Sequence, residues 1–192
     1  MRKFNAAVLA LLAAPVAAQA STTVYDGPRA ANIDGASTQN FNFDVTDDGL
    51  IDSLSIFIQT GGPYADDLTL SLSHLGTTVT FFAGKGDTSG SSINATFSDD
   101  ATVAAPTTGS VSGIVLPGSP LSAFKGLAVA GTYTLSTVDH VVPGDGTSLV
   151  KSAVTITTAA VPEPASWALM LVGFGAAGTA MRSRRKLAVS FA

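Results

Sequence analysis

Residues 67–82 read DLTLSLSHLGTTVTFF, and this stretch decides the fold class. Leucine stands at every second position, at Leu68, Leu70 and Leu72, and hydroxyl side chains fill the positions between. This period of two is typical of a strand with one buried face, because successive side chains of a strand point to opposite sides. Gly76 lies in the short turn before the next alternating run, so the stretch predicts an antiparallel hairpin.

The same alternation recurs through the centre of the chain. It is clear in QNFNFDV, DSLSIFIQ, GTYTLSTV and SAVTITTA, and clusters of Gly, Pro and Asp separate these runs. No segment before residue 165 has a helical period. We therefore predict one all-β domain over residues 21–160, an antiparallel sandwich or barrel. A second hairpin is predicted at Asp48-Gly49, between FNFDV and LIDSLSIFI.

The chain begins MRKFNAAVLALLAAPVAAQA, which has the features of a secretory signal peptide. Arg2 and Lys3 form a charged start, an apolar run follows, and Ala18-Gln19-Ala20 is a cleavage pattern. The alternative, a short membrane helix, is disfavoured because the run is too short to span and ends in small residues. We predict that residues 1–20 are removed by signal peptidase outside the cytoplasm.

Composition excludes several functions. The chain has no cysteine, so disulfides, zinc–thiolate sites and thiol nucleophiles are ruled out. The central region holds four basic residues and thirteen aspartates, a formal charge of −9, and the one glutamate, Glu163, lies in the tail. Such an acidic domain repels phosphate backbones, so nucleic acid is not an expected partner. It suits a hard cation such as calcium.

Catalytic candidates are few. The two histidines, His74 and His140, both lie beside predicted turns, and no serine has the context of a nucleophile elbow. His74 is interpreted as a surface residue at its turn. Glycoside hydrolysis usually needs a carboxylic acid kept protonated in an apolar pocket, whereas these aspartates cluster in turns. We predict no catalytic residues, and a secreted hydrolase is the least favoured alternative.

One acidic loop is a candidate calcium site. DVTDDGLIDSLS places Asp44, Asp48 and Asp52 at positions 1, 5 and 9 of an EF-hand-like pattern. Position 12 is Ser55 instead of a bidentate glutamate, and the flanks are strands. The alternative is a solvated turn between strands.

Carbohydrate binding is a further alternative, because sugar rings stack on exposed aromatic side chains. Most aromatic residues of the central region fall at core positions of strands. Tyr64, in the Gly-Gly-Pro-Tyr turn, is the one expected to be exposed.

The central region resembles the P domain appended to subtilisin-like proprotein convertases. The resemblance covers residues 66–156 and rests on DDLTLSLSHLGTTVTFF, INATFSDDAT and PLSAFKGLAVAGTYTLSTVDHVVPGDGTSL. Tyr133 stands where that family usually has tryptophan, and Ser152 falls near a second such position. The resemblance implies a jelly-roll-like sandwich of about eight strands without catalytic residues. It also implies a candidate calcium site at two acidic pairs, Asp66-Asp67 and Asp99-Asp100.

The tail differs in character from the central region. ASWALMLVGFGAAGTAM, residues 165–181, is seventeen residues without a charge, or about 26 Å as a helix. That length is at the short limit for crossing a bilayer, Trp167 suits the interface, and basic residues follow at 182–186. We predict a single transmembrane helix with its basic end in the cytoplasm.

The tail also resembles the PEP-CTERM sorting signal of Gram-negative bacteria over residues 161–186. The matching residues are Pro162, Glu163, Pro164, Trp167 and Ala168, followed by the basic cluster with Arg182, Arg184 and Arg185. The resemblance implies recognition by a membrane-embedded exosortase, cleavage near the motif, and delivery to the cell surface or extracellular matrix.

Together these observations predict an exported, non-catalytic sandwich with a structural or adhesive role linked to exopolysaccharide or biofilm. The alternative is a calcium-assisted carbohydrate-binding module.

Overall fold

The computed structural model describes residues 20–33, 38–140, 146–160 and 164–184. Residues 20–159 form one compact unit, and the tail is separate from it. Within the described residues there are nine strands, two 3-10 helices (Ala65–Asp67 and Leu121–Phe124) and one α-helix. The strands are β1 Thr22–Asp26, β2 Gln39–Val45, β3 Ile51–Gly61, β4 Leu68–His74, β5 Thr77–Ala83, β6 Ile93–Ser98, β7 Val111–Val115, β8 Gly131–Asp139 and β9 Ser148–Thr158.

The strands form two sheets. The five-stranded sheet has the order β1-β9-β3-β6-β7, and the four-stranded sheet has the order β2-β8-β4-β5. The all-β prediction is confirmed. The antiparallel prediction fails at one pair, because β6 and β7 run parallel. Parallel neighbours need a crossover connection, and residues 99–110 supply it.

The hairpin predicted from residues 67–82 is confirmed. β4 pairs with β5, and His74 and Thr77 face each other at the turn. Leu75 and Gly76 have φ values of 46° and 81°. Left-handed conformations at both central residues are those of a two-residue type I′ turn, whose twist matches that of the strands.

The second predicted hairpin is wrong. β2 pairs with β8 in the four-stranded sheet, whereas β3 pairs with β6 and β9 in the other sheet. The segment at Asp48-Gly49 therefore carries the chain from one sheet to the other. The alternation of Phe41 and Phe43 indicates which face is half-buried, but it does not say which strand is the neighbour.

The core lies between the two sheets. Leu68, Leu70 and Leu72 are fully buried, as their spacing predicts. The ring of Phe81 on β5 meets that of Phe97 on β6 edge to face, with 5.0 Å between centroids. A register shift opposite Leu70 lets β5 bury two consecutive aromatic residues, Phe81 and Phe82.

The tail forms one helix, α1, at Pro164–Arg184. The helix is present where it was predicted, and its described side chains are exposed, including Met170, Leu171 and Phe174. Among the described residues, however, no helix is long and apolar enough to cross a membrane, which corrects the transmembrane prediction. Glycine, alanine and threonine make up most of the second half of the uncharged run and lower its apolar character. The predicted signal peptide lies outside the described residues apart from Ala20.

Candidate functional sites

The first acidic pair lies at the start of β4, and Asp66 is its central member. The Asp66 side chain is fully buried. Its carboxylate accepts hydrogen bonds from the Ser91 hydroxyl at 2.6 Å, from the Gly109 amide at 2.6 Å and from the Thr88 amide at 3.2 Å. The backbone of Asp66 also accepts from the Gly86 amide and donates to Ser91. Asp66 thereby joins two loops to the start of the strand.

The pKa of Asp66 lies below its ordinary value of 3.8. Burial is the largest influence and acts in the opposite direction, because it disfavours the charged form. The hydrogen bonds from Ser91, Gly109 and Thr88 together outweigh it, since each of them favours the carboxylate. The group is therefore held as an anion by the protein's own donors.

The second acidic pair lies just after β6. The two carboxylate oxygens of Asp99 accept from the Leu121 amide at 2.9 Å and the Ser122 amide at 2.7 Å. Asp99 thus satisfies backbone donors at the start of the second 3-10 helix. Asp100 is exposed beside it.

The structure does not bring the two acidic pairs together. Asp66 bonds to Ser91, just before β6, while Asp99 follows the last residue of the same strand. At about 3.3 Å per residue, the six residues of β6 separate the pairs by on the order of 20 Å. Asp67 is buried next to Asp66. A single calcium site built from all four residues is therefore not formed.

The EF-hand-like aspartates also lie apart. Asp44 is on β2 and accepts a hydrogen bond from the Thr132 hydroxyl at 2.6 Å. Asp52 is on β3, in the other sheet, and forms an ion pair with Lys125 at 2.8 Å. Asp48 is exposed between the two strands. In the described part of the chain, no group of three or more acidic, histidine or cysteine side chains is placed to hold a metal ion.

His74 is buried, which corrects its interpretation as a surface residue. Its ring stacks on that of Tyr133, with 3.8 Å between centroids and 3° between planes. Its Nε2 lies 2.7 Å from the Ala128 carbonyl oxygen and its Nδ1 lies 3.2 Å from that of Thr132. The sequence contained the relevant evidence, because His74 continues the buried parity of Leu68, Leu70 and Leu72.

Tyr133 is the aromatic residue at the centre of this cluster. It is fully buried, and its hydroxyl donates to the Val129 carbonyl at 3.0 Å. Burial, with a smaller contribution from Tyr25, raises the pKa of Tyr133 well above its usual range. The arrangement fixes the segment before β8 against β4, which is a structural role.

His140 is exposed at the end of β8, and its Nε2 lies 2.7 Å from the Thr69 hydroxyl. A hydroxyl beside an imidazole is part of a nucleophile–base arrangement, which also needs a third group to orient the base. Among the described residues, no carboxylate bonds to His140.

Tyr64 is half-buried instead of exposed. It precedes the first 3-10 helix and has a φ of 68°, in the left-handed region that few non-glycine residues adopt. Its ring is therefore only a partial platform for a sugar.

The sequence interpretation missed a groove on the outward face of the five-stranded sheet. This groove has a volume of about 490 Å³ and is lined largely by hydroxyl and carboxylate side chains from β3, β6, β9 and the second 3-10 helix. They include Ser53, Ser55, Asp100, Ser122, Thr155 and Thr157. We call it the hydroxyl groove. Its volume falls in the usual range for ligand clefts, roughly 300–1,000 Å³.

Phe57 follows the groove residue Ser55 on the same strand and side of the sheet. It is half-buried, whereas its neighbours Ile56 and Ile58 are fully buried in the core. The sequence carried evidence for this position, because Phe57 is out of phase with the apolar residues of DSLSIFIQ.

The residues predicted to form the sorting motif are only partly described. Pro162, Glu163 and Arg185 lie outside the described residues. Pro164, Trp167, Ala168 and Arg184 belong to α1, and Ala168 and Arg182 are exposed. Residues 160–186 match the PEP-CTERM protein-sorting motif.

The PEP-CTERM match confirms the sorting signal that the tail resembles. It supports export and exosortase-type sorting to the envelope or surface of a Gram-negative bacterium. The match covers the tail alone, so it gives no information about the sandwich.

The chain aligns only weakly with solved protease structures. Two structures of a serine protease of Aeromonas sobria, one of them in complex with the chaperone ORF2, are similar at a TM-score of 0.43 and 12% identity. They cover 77% and 74% of this chain, which spans only 28% and 27% of theirs. Likeness at this level carries no functional argument. No curated protein sequence matches the chain.

Proposed function

We propose that this chain is an exported, non-catalytic β-sandwich of the P-domain-like, jelly-roll kind, released from its signal peptide by signal peptidase. An exosortase processes its tail, and the sandwich then has a structural or adhesive role in a polysaccharide-rich matrix or biofilm. The observation that carries this proposal is the PEP-CTERM match at residues 160–186, directly after the compact unit.

The placement of the two histidines supports a non-catalytic role. Both ring nitrogens of His74 face backbone carbonyls inside the core, where no substrate can reach them. His140 lies on an exposed strand end, outside the hydroxyl groove. General acid–base catalysis requires the acid or base within hydrogen-bond reach of a bound substrate.

The sorting part is tested by the mass of the protein recovered from the cell surface and the medium. The chain is expressed in a Gram-negative host that carries an exosortase and in the same host with the exosortase gene deleted. We expect the first host to yield a protein that has lost its tail and the second to yield a protein that retains it.

Two variants sharpen that experiment. Glu163→Ala changes the motif and should retain the tail even when exosortase is present, whereas Asp100→Ala on the sandwich should be processed normally. An intact C-terminus on surface protein from both hosts would overturn the sorting proposal.

The second candidate is a carbohydrate-binding module, and the hydroxyl groove is the observation that favours it. The acidic character of the domain is the one observation in favour of calcium. Against it, the carboxylates of Asp66 and Asp99 already accept hydrogen bonds from the protein, which compete with a metal ion for the same oxygens. A bound calcium ion would raise the melting temperature of the full chain, because a ligand that binds only the native state stabilises it. A melting curve that is the same in calcium and in chelator would remove calcium from this candidate and leave the groove.

A further inference from the structure

We propose that the outward face of the five-stranded sheet binds a neutral polysaccharide. In this arrangement Phe57 packs against the apolar face of one sugar ring, and the hydroxyl groove bonds to the hydroxyls of the next. The inference rests on the proposed function, because it names the surface by which the exported sandwich contacts its matrix.

Phe57 is placed as an aromatic platform. It lies on β3, the central strand of the sheet, and is flanked across the strands by Ala153 on β9 and Thr96 on β6. Both neighbours are smaller than the phenyl ring, so they leave part of the ring accessible to a ligand. Ala153 is nearly fully buried although it lies on the outward side, which is consistent with the ring lying across it.

Most of the groove hydroxyls are available to a ligand. Within the described residues, no protein group forms a hydrogen bond with the side chains of Ser53, Ser55, Ser122 or Thr155. The exception is Thr157, whose hydroxyl lies 2.9 Å from that of Thr22 on β1. Across the outward face of the four-stranded sheet, by contrast, most hydroxyls bond to one another or to asparagine. The pairs are Ser71–Thr80 at 2.9 Å, Ser73–Thr78 at 2.8 Å, Thr134–Asn42 at 2.9 Å and Ser136–Asn40 at 2.7 Å.

This contrast distinguishes the two faces chemically. At a hydroxyl without a protein partner, a polyhydroxyl ligand only has to replace water. At a paired hydroxyl, it would first have to break a hydrogen bond within the protein. The five-stranded sheet offers hydroxyls of the first kind next to an aromatic ring. On the four-stranded sheet, most outward hydroxyls already have hydrogen-bond partners within the protein.

The charges near the groove favour a neutral ligand. Asp52, Asp99 and Asp100 line it, and Lys125 is its one basic residue, already paired with Asp52. The remaining negative charge repels the carboxylates of an acidic polysaccharide. The Lys151 ammonium lies 5.9 Å from the centroid of the Phe57 ring, at the outer limit for a cation–π contact, so a sugar ring can displace it.

The test is affinity electrophoresis of the full chain, purified in a mild non-ionic detergent. The gels contain hydroxyethylcellulose, galactomannan or dextran as neutral probes, or alginate as an acidic one. We expect retardation by at least one neutral polysaccharide and none by alginate. Phe57→Leu keeps the apolar volume but removes the ring, and should weaken binding about tenfold, as loss of a central aromatic contact does. Phe57→Tyr should restore binding.

Three further variants separate binding from folding. Thr155→Val removes a groove hydroxyl at nearly constant shape and should weaken binding roughly threefold to tenfold, the range for one lost hydrogen bond. Tyr64→Asn removes the other candidate aromatic while tolerating a left-handed backbone, and Ser71→Ala changes the opposite sheet; both should bind as the wild type does.

The proposal is overturned if no neutral polysaccharide retards the chain, if alginate retards it more strongly, or if Phe57→Leu binds normally. Such a result leaves the sorting proposal intact, since the mass of the surface protein decides that separately.

Discussion

The two acidic pairs, Asp66-Asp67 and Asp99-Asp100, are nearly identical in sequence and opposite in environment. Asp66 is fully buried and its carboxylate accepts three hydrogen bonds from two loops. Asp99 is exposed and accepts from two consecutive amides at the start of a short helix. An aspartate pair in a turn is therefore not a metal ligand by composition alone, because backbone donors compete for the same oxygens.

The difference between the pairs lies in what each carboxylate holds in place. Asp66 fixes segments that are 22 to 43 residues away along the chain, and water cannot replace those donors at a buried site. The amides held by Asp99 are close to solvent, so water replaces them at lower cost. The comparison predicts a large stability effect at one pair and a small one at the other.

Asp66→Ala is expected to have the largest effect. The substitution leaves the Ser91 hydroxyl and the Gly109 amide without their acceptor, and we expect a loss of about 3 kcal/mol in the free energy of unfolding. Urea denaturation of the full chain measures it. Asp100→Ala is the control and should change stability by less than about 0.5 kcal/mol. Equal losses in the two variants would contradict the comparison.

Gly86→Ala should lower the free energy of unfolding by nearly as much as Asp66→Ala does, but by crowding the Asp66 carboxylate instead of removing it. A Cβ on Gly86 would collide with the Asp66 carboxylate, and the backbone at Gly86 is not in a conformation that itself demands glycine. We expect a loss of about 1–3 kcal/mol from overpacking.

A double-mutant cycle identifies the cause. With Asp66 already changed to alanine, the carboxylate is gone and only the Cβ of residue 66 remains near, at 3.2 Å. Gly86→Ala should therefore cost much less than it does in the wild type. The matched control is Gly118→Ala, because its backbone is not left-handed either and a Cβ there comes no closer than 3.5 Å to another atom. Additive losses at Asp66 and Gly86 would show that the collision is unimportant.

The depressed pKa of Asp66 predicts an acid-sensitive stability. Because its folded pKa lies below the ordinary value of 3.8, the contribution of Asp66 is complete above that value. It is lost as the pH falls through the folded pKa. Asp66→Asn should therefore show a flatter dependence of unfolding free energy on pH below about pH 4. Unfolding curves from pH 6 to pH 2 measure the slope, and parallel curves for the two proteins would argue against a charged Asp66.

The strands were predictable where the pattern is local. The alternation of Leu68, Leu70 and Leu72 establishes a half-buried strand, and Gly76 marks its turn to the next one. The same parity contains the evidence for a buried His74 and an outward Phe57, although His74 was interpreted as a surface residue and Tyr64 was expected to be the exposed aromatic. Each of these inferences needs only the period of two.

The pairing of distant strands was not predictable. β9, the last of the described strands, lies between β1 and β3, second from the edge of its sheet, and β2 and β3 belong to different sheets. The partners of Asp66 are likewise set by how distant loops meet, which a single sequence does not reveal. The hydroxyl groove has the same origin, because its residues come from four separate segments.

Asp99→Ala is expected to have the smallest effect of the series, and it tests the other half of the comparison. Its carboxylate acts as a cap, and removing a cap costs about 1 kcal/mol. Asp99→Ser should recover part of that loss, since a hydroxyl accepts from one of the two amides. A loss as large as that of Asp66→Ala would mean that Asp99 fixes more than one turn of helix.

Asp99 also lines the hydroxyl groove, so polysaccharide binding by Asp99→Ser distinguishes a capping role from a ligand contact. If Asp99 only caps the helix, Asp99→Ser should bind the polysaccharide with nearly the wild-type affinity.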